Sequence, residues 1–190
     1  MTFQTITTTV LSKDGVVEYH TNVIPSGYFN SVLQNVAWKN DEVVIFGKHI
    51  TTKRQVAWYG EGDYTYSNTT KKPLAWTLEL LELKEIVESL AGTKFNSCLL
   101  NLYHDGNEGI AWHSDDEKEL GDVIASISLG AARRFLFKHK QTKEAVELML
   151  ESGSVLVMKG DTQKNWLHSL PKSARVTEPR INLTFRRIKK

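Results

Sequence analysis

The sequence predicts a mainly β protein with flanking helices (α+β). The expected architecture is a double-stranded β-helix, the jelly-roll or cupin-like arrangement, with two helices packed outside one sheet. Two observations predict it. From about residue 95 the chain breaks into short runs rich in β-branched and aromatic residues, bounded by turn chemistry such as Asp105-Gly106, Gly130, Ser152-Gly153 and Gly160-Asp161. Before Gly92, two segments instead repeat apolar residues at helical spacing. Many short strands in succession suit two packed sheets better than alternating strand–helix units.

In chain order, residues 16–20 and 43–50 read as strands, from Val16-Val17 and Val43-Val44-Ile45-Phe46. Between them Pro25-Ser26 suit a helix start, and Tyr28, Phe29, Val32, Leu33 and Val36 follow at helical spacing. A second helix is expected from about Thr77 to Ala91. There Leu80, Leu81, Lys84, Val87, Glu88 and Ala91 divide into an apolar and a charged face, and Gly92 stands where a C-terminal cap belongs. Strands are then expected at 95–103, 110–115, 123–129, 134–138, 145–150, 154–158, 166–170 and 180–188. On the last of these, Arg180, Asn182, Thr184 and Arg186 alternate and so share one face, pointing inward. Unpaired charge is too costly for an ordinary core, so this face fits a barrel filled by an anionic ligand.

The 190 residues make one domain the default, and 41% hydrophobic with 24% charged residues excludes a disordered chain. No apolar run approaches the ~20 residues that span a bilayer. The first residues lack the basic-then-apolar layout of a signal peptide. Cys98 is the only cysteine and lies in an apolar run, which reads as a buried, inert thiol in a reducing compartment, cytoplasmic or nuclear. The net charge of +2 is mild, but basic residues cluster at Arg133-Arg134, at Lys138-His139-Lys140, at Lys172 with Arg175, and from Arg186 to Lys190. Gathered around one mouth, these clusters would meet phosphates.

The chemistry lies in an ordered set: His113 and Asp115 one residue apart, His168 much later, then Arg180 and Arg186. Alternate residues of a strand point the same way, so His113 and Asp115 can reach one metal, with His168 brought in from another strand. Two imidazoles and a carboxylate on one face of an octahedron suit a ferrous ion and leave the opposite face open. The arginines supply fixed positive charge for a dicarboxylate beside it. A bare H-x-D is more often a surface turn than a metal site; it is the conjunction, in this order and on expected strands, that carries the reading.

These residues resemble the AlkB-type iron(II)- and 2-oxoglutarate-dependent dioxygenases, closest to the branch that repairs alkylated DNA bases. The resemblance runs from about Val43 to Ile188. It is carried by Asn101-Leu102-Tyr103-His104-Asp105-Gly106, His113-Ser114-Asp115-Asp116-Glu117, Ser126-Ile127-Ser128-Leu129-Gly130, and above all by Pro179-Arg180-Ile181-Asn182-Leu183-Thr184-Phe185-Arg186. It implies that His113, Asp115 and His168 bind Fe(II), and that Asn101, Tyr103, Arg180, Asn182, Thr184 and Arg186 hold 2-oxoglutarate. It implies further that Phe46, Gly47, Lys48, Tyr64, Thr65 and Tyr66 line the base pocket, while Asp116 and Glu117 meet the edge of the base. Trp58, Trp76 and Trp112 read as core or rim residues.

The implied activity is oxidative dealkylation of N-alkylated bases in DNA, with RNA as a further substrate, using Fe(II), 2-oxoglutarate and O2 and releasing formaldehyde, succinate and CO2. The chain then reads as a monomer of a single domain, 1–190: an N-terminal extension and helix to about 42, a nucleotide-recognition region and helix over 43–92, and a catalytic core over 93–190. Rival readings keep the iron chemistry on a protein or small molecule, or make the chain an inactive nucleic-acid binder.

Overall fold

The computed structural model describes residues 4–45, 48–61, 64–66 and 69–189, and for 41–45, 48–50, 64–66 and 69–71 the backbone alone. The chain opens with strands β1 (Ile6–Leu11) and β2 (Val16–Thr21) and helix α1 (Gly27–Asn35). Strands β3 (Lys39–Ile45) and β4 (Lys48–Gly60) follow, then the short hairpin β5 (Tyr64–Tyr66) and β6 (Thr69–Lys71), then helix α2 (Leu78–Ala91). The second half holds β7 (Ser97–Tyr103), β8 (Ile110–His113), β9 (Ile124–Gly130), β10 (Arg133–His139), β11 (Ala145–Leu150) and β12 (Ser154–Lys159). A single helical turn, α3 (Thr162–Asn165), precedes β13 (Trp166–Leu170) and β14 (Arg180–Arg186).

Among the described residues, eight strands form one antiparallel sheet in the order β1-β2-β12-β9-β14-β7-β4-β3, and four form a second, β11-β10-β13-β8. The interleaved order, with β14 between β9 and β7, is that of the expected jelly roll. The inner face of the large sheet meets the small sheet through a core that includes Tyr19, Ile124, Leu156, Phe137, Leu150 and Trp166. Its outer face packs on both long helices, where Val32, Leu80, Leu83 and Val87 meet Leu100, Ile127, Leu183 and Phe185. Period-two alternation decides which residue goes where. On β14, Ile181, Leu183 and Phe185 are fully buried against the helices, and the polar residues between them face the space between the sheets.

Helix α2 starts and stops as its sequence demands. The Thr77 hydroxyl accepts the Leu80 N–H at 3.3 Å, and Gly92 takes the left-handed conformation at φ 69°. The division of its faces is corrected at two residues. Leu81 is exposed, and Glu88 is buried. The Glu88 carboxylate is held by Lys84 at 2.9 Å, Lys94 at 2.7 Å and the Phe95 N–H at 2.8 Å. Those partners make burial of a charge tolerable. The expected strand over 43–50 is also corrected: its described residues are divided between β3 and β4, and β4 runs on through a polar stretch to Gly60. Strand β1, at the sheet edge and exposed at its first four residues, offers no apolar alternation and was not anticipated.

Candidate active site: two histidines and a carboxylate between the sheets

A cavity of about 270 Å³ opens between the sheets. His113 closes β8 and lies directly across from His168 on β13, with ring centroids 4.2 Å apart. The next aligned pair is Leu170 with Ile110, so β8 carries one residue more than β13 over this span. That extra residue is a β-bulge at Ala111-Trp112, and both residues are exposed. The bulge keeps His113 turned inward although it is three residues from Ile110. The His113 Nδ1 lies 2.9 Å from the Ala111 carbonyl. A carbonyl can only accept, so Nδ1 donates to it and Nε2 is the ring atom left for a ligand role.

Asp115 is not on the strand. The expectation that it follows His113 along regular β structure is corrected: β8 ends at His113, and other groups place the carboxylate. The Asp115 N–H donates to Gln163 Oε1 at 3.0 Å, from α3. Its Oδ2 accepts from Arg186 Nη2 at 2.7 Å, from β14. Burial alone would raise this carboxyl, but the Arg186 charge and the neighbouring imidazoles outweigh it and hold the group below its ordinary range. His168 is stacked on Phe135 at 5.6 Å and edge-on to Phe137. Burial first, and the adjacent His113 second, push its pKa down to about 4, so it is a neutral imidazole at physiological pH. One ligand atom from each of His113, Asp115 and His168 falls within 4.8 Å of the others. Two imidazoles and a carboxylate on one side of an open space fit Fe(II) with free positions opposite.

The other end of the cavity is built for an anion. Arg180 is 2% exposed. It donates to Ser128 Oγ at 2.9 Å and lies 5.5 Å from the Tyr103 ring. Burial lowers its pKa to about 10, which still leaves it charged. No carboxylate pairs with it among the described residues, and its Nε is buried without a hydrogen bond. Burial also raises the Tyr103 phenol, which therefore remains a neutral donor, with Arg54 hydrogen-bonded to it. Asn182 donates to Ser126 Oγ at 2.7 Å and to the Ile127 carbonyl at 3.0 Å, and accepts from Thr184 at 3.0 Å. Asn101 also lines the cavity.

All the residues expected to bind metal or dicarboxylate thus line one cavity. The substrate residues stand differently. Phe46 and Gly47 lie outside the described residues. Lys48, Tyr64, Thr65 and Tyr66 are described by backbone alone; the hairpin pairs Tyr64 with Lys71 and Tyr66 with Thr69. Asp116 is exposed and pairs with Lys140 at 3.2 Å, and Glu117 is exposed. Three residues of the basic clusters are committed within the fold. Arg133 is buried, donating to the carbonyls of Asp105, Glu108 and Pro171. Arg134 makes a bidentate pair with Glu147, and Arg186 is committed to Asp115. Sequence reasoning missed Gln163, Ser126, Ser128, Phe135 and Arg54. Of these, Ser126 and Ser128 carried a signal: they alternate on β9 opposite Thr184 and Asn182.

The profile of the 2OG-Fe(II) oxygenase superfamily matches residues 26–186. The chain belongs to that superfamily. Among its curated relatives, the alpha-ketoglutarate-dependent dioxygenase alkB homolog 3 of Bos taurus is 40% identical over 84% of this chain and 60% of its own length. The DNA oxidative demethylase ALKBH2 of Mus musculus is 43% identical over 77% of this chain and 66% of its own length. The chain therefore spans about 60–66% of the length of these superfamily members. The solved structure of OsALKBH1 shares the fold, with a TM-score of 0.66 over 95% of this chain and all of that one at 15% identity.

Proposed function

We propose that the chain catalyses oxidative dealkylation of N-alkylated bases in nucleic acid, DNA first, with Fe(II) as cofactor, consuming 2-oxoglutarate and O2 and releasing formaldehyde, succinate and CO2. One observation carries the reading: an N, N, O ligand set within 4.8 Å at one end of a cavity whose other end holds a buried arginine without a carboxylate partner among the described residues. The relatives named for DNA oxidative demethylation support the choice of nucleic acid.

His113, Asp115 and His168 would hold the metal. When bound, Fe(II) supplies the coupling of O2 reduction to oxidative decarboxylation of 2-oxoglutarate and to oxidation of the N-alkyl carbon. The chain's own residues do the rest. Arg186, tied to Asp115, puts its charge at the metal end of the cosubstrate. Arg180, with Tyr103 beside it, receives the far carboxylate; charge-assisted pairing of this kind is stronger than a neutral hydrogen bond. Asn101, Asn182 and Thr184 shape the space between. Leu99, Ile110, Phe135 and Leu170 give the same cavity an apolar wall.

A base inside a duplex cannot reach this depth, so it is extruded or already unpaired, at about a few kcal/mol. An alkyl group on the pairing edge weakens pairing and lowers that cost. Phe46, Gly47, Lys48 and Tyr64 to Tyr66 would form the pocket rim, with Asp116 and Glu117 facing the edge of the base. The same reading takes the chain as a monomer. No helix among the described residues is long and apolar enough to cross a membrane.

The test is formaldehyde and succinate release from a panel of N-methylated DNA and RNA oligomers, with iron and 2-oxoglutarate omitted in turn. Both products should appear together and only in the complete mixture. Succinate without formaldehyde from every oligomer would move the chain to another substrate.

A further inference from the structure

The bulge that aims His113 inward has a second effect. It turns Trp112 outward, 39% exposed, and no other tryptophan among the described residues is an exposed large side chain. Lys138, on β10 beyond the intervening β13, holds its ammonium 4.7 Å from the Trp112 ring centroid. Most cations nearby are engaged by acids: Arg134 by Glu147, and Lys140 by Asp116. Among the described residues no carboxylate pairs with Lys138. The pair leaves an indole and an ammonium without a carboxylate partner together on the outer face, one residue from the site.

Its place in the fold says what could use it. Strand β8 is the last strand of the small sheet, and nothing pairs with its outer edge among the described residues. His113, at the end of β8, faces the cavity; Trp112, one residue earlier, faces out. A polymer whose reacting unit sits beside His113 brings its next units within reach of the side chain one residue earlier on the strand. We propose that Trp112 and Lys138 form the contact for the strand flanking the reacting base, a neighbouring base stacking on the indole and its phosphate meeting Lys138. This rests on the reading of the substrate as nucleic acid. The chemistry favours that occupant over a protein segment: a stacking surface beside a cation matches the alternation of π faces and anions along a single strand, and base–aromatic stacking tolerates any sequence.

The experiment measures binding of a labelled single-stranded DNA 12-mer with one internal N-methylated base, alongside turnover of the same 12-mer and of a trinucleotide carrying the same lesion. Trp112→Ala should weaken 12-mer binding about five- to fifty-fold, in line with loss of one stacked base. Its turnover deficit at low substrate should be several-fold larger on the 12-mer than on the trinucleotide, whose flanks are too short to lie along the rim. Lys138→Ala should weaken binding less and reduce the slope of log affinity against log salt by about 0.7, one phosphate contact on a single strand. Quenching of tryptophan emission by the 12-mer should be lost in Trp112→Phe. Arg134→Ala, on the same face but paired with Glu147, serves as the control and should bind as wild type. Wild-type binding in both the Trp112 and Lys138 variants would overturn the proposal. So would equal losses on both substrate lengths, which would mean that Trp112 acts only by supporting His113. A wild-type chain that neither binds nor demethylates any oligomer would overturn the substrate reading instead, a distinct result.

Discussion

The two ends of the cavity handle buried charge in opposite ways. At the metal end, Asp115 and Arg186 neutralise each other at 2.7 Å, with Gln163 fixing the backbone beneath. At the far end, Arg180 is 2% exposed, its contacts are a serine hydroxyl and a tyrosine, no carboxylate pairs with it among the described residues, and the nearby charge of Arg133 is of its own sign. The first end is organised before any ligand arrives. The second is organised around a charge that a ligand has to balance. An anion that binds there gains from a cation the fold has already desolvated, so binding and stability pull against each other at Arg180 and cooperate at Arg186.

Substitutions can break this contrast, and the largest effect is expected at the metal end. Asp115→Ala removes a metal ligand and leaves Arg186 unpaired. Turnover should vanish, and stability should fall by about 3 kcal/mol, the scale of breaking a buried pair; retained turnover in a formaldehyde assay would remove the site assignment. Next come the arginines. Arg180→Met should raise the 2-oxoglutarate requirement about a hundredfold, as expected for loss of a charge-assisted carboxylate contact of about 3 kcal/mol. It should leave the ligand-free protein as stable or more stable in urea. Arg186→Met should destabilise the ligand-free protein, because Asp115 then lies buried without its partner. Equal stability losses in the two would erase the distinction between the ends.

A smaller effect tests the second layer. Gln163→Ala frees the Asp115 backbone and should weaken metal retention about tenfold, in the range typical of groups that orient ligands, measured by competition with a chelator. The smallest effect lies outside the cavity, at Glu88. Burial would raise this carboxyl, but Lys94, the Phe95 N–H and Lys84 together hold it below its ordinary value. A carboxyl depressed on folding adds stability above its unfolded pKa and loses it as pH falls through the folded one. Glu88→Gln should therefore be less stable than wild type by about 1 kcal/mol at neutral pH, with the difference closing below the ordinary carboxylate range. A difference that persists at acid pH would trace to packing instead.

The contrast between the ends also explains what the sequence could disclose. The polar face of β14 was legible because strict alternation puts Arg180, Asn182, Thr184 and Arg186 together whatever the partner strands. The two helices were legible from Thr77, Gly92 and apolar spacing. The position of Asp115 was not, because it depends on a bulge three residues upstream and on Gln163, 48 residues away, and neither leaves a local pattern. The commitments of Arg133, Arg134 and Arg186 were hidden for a related reason. A basic pair in sequence looks the same whether its guanidinium meets solvent, a carbonyl cluster or a carboxylate, and only tertiary packing decides. Strand β1 was missed because an exposed edge carries little of the hydrophobic pattern that marks a strand.

Anaerobic equilibrium dialysis of 2-oxoglutarate against the iron-loaded protein tests the central claim most directly. Wild type should bind one molecule per chain, and Arg180→Met should lose that binding while keeping its iron. Undiminished binding in Arg180→Met would place the dicarboxylate somewhere other than the space between the sheets.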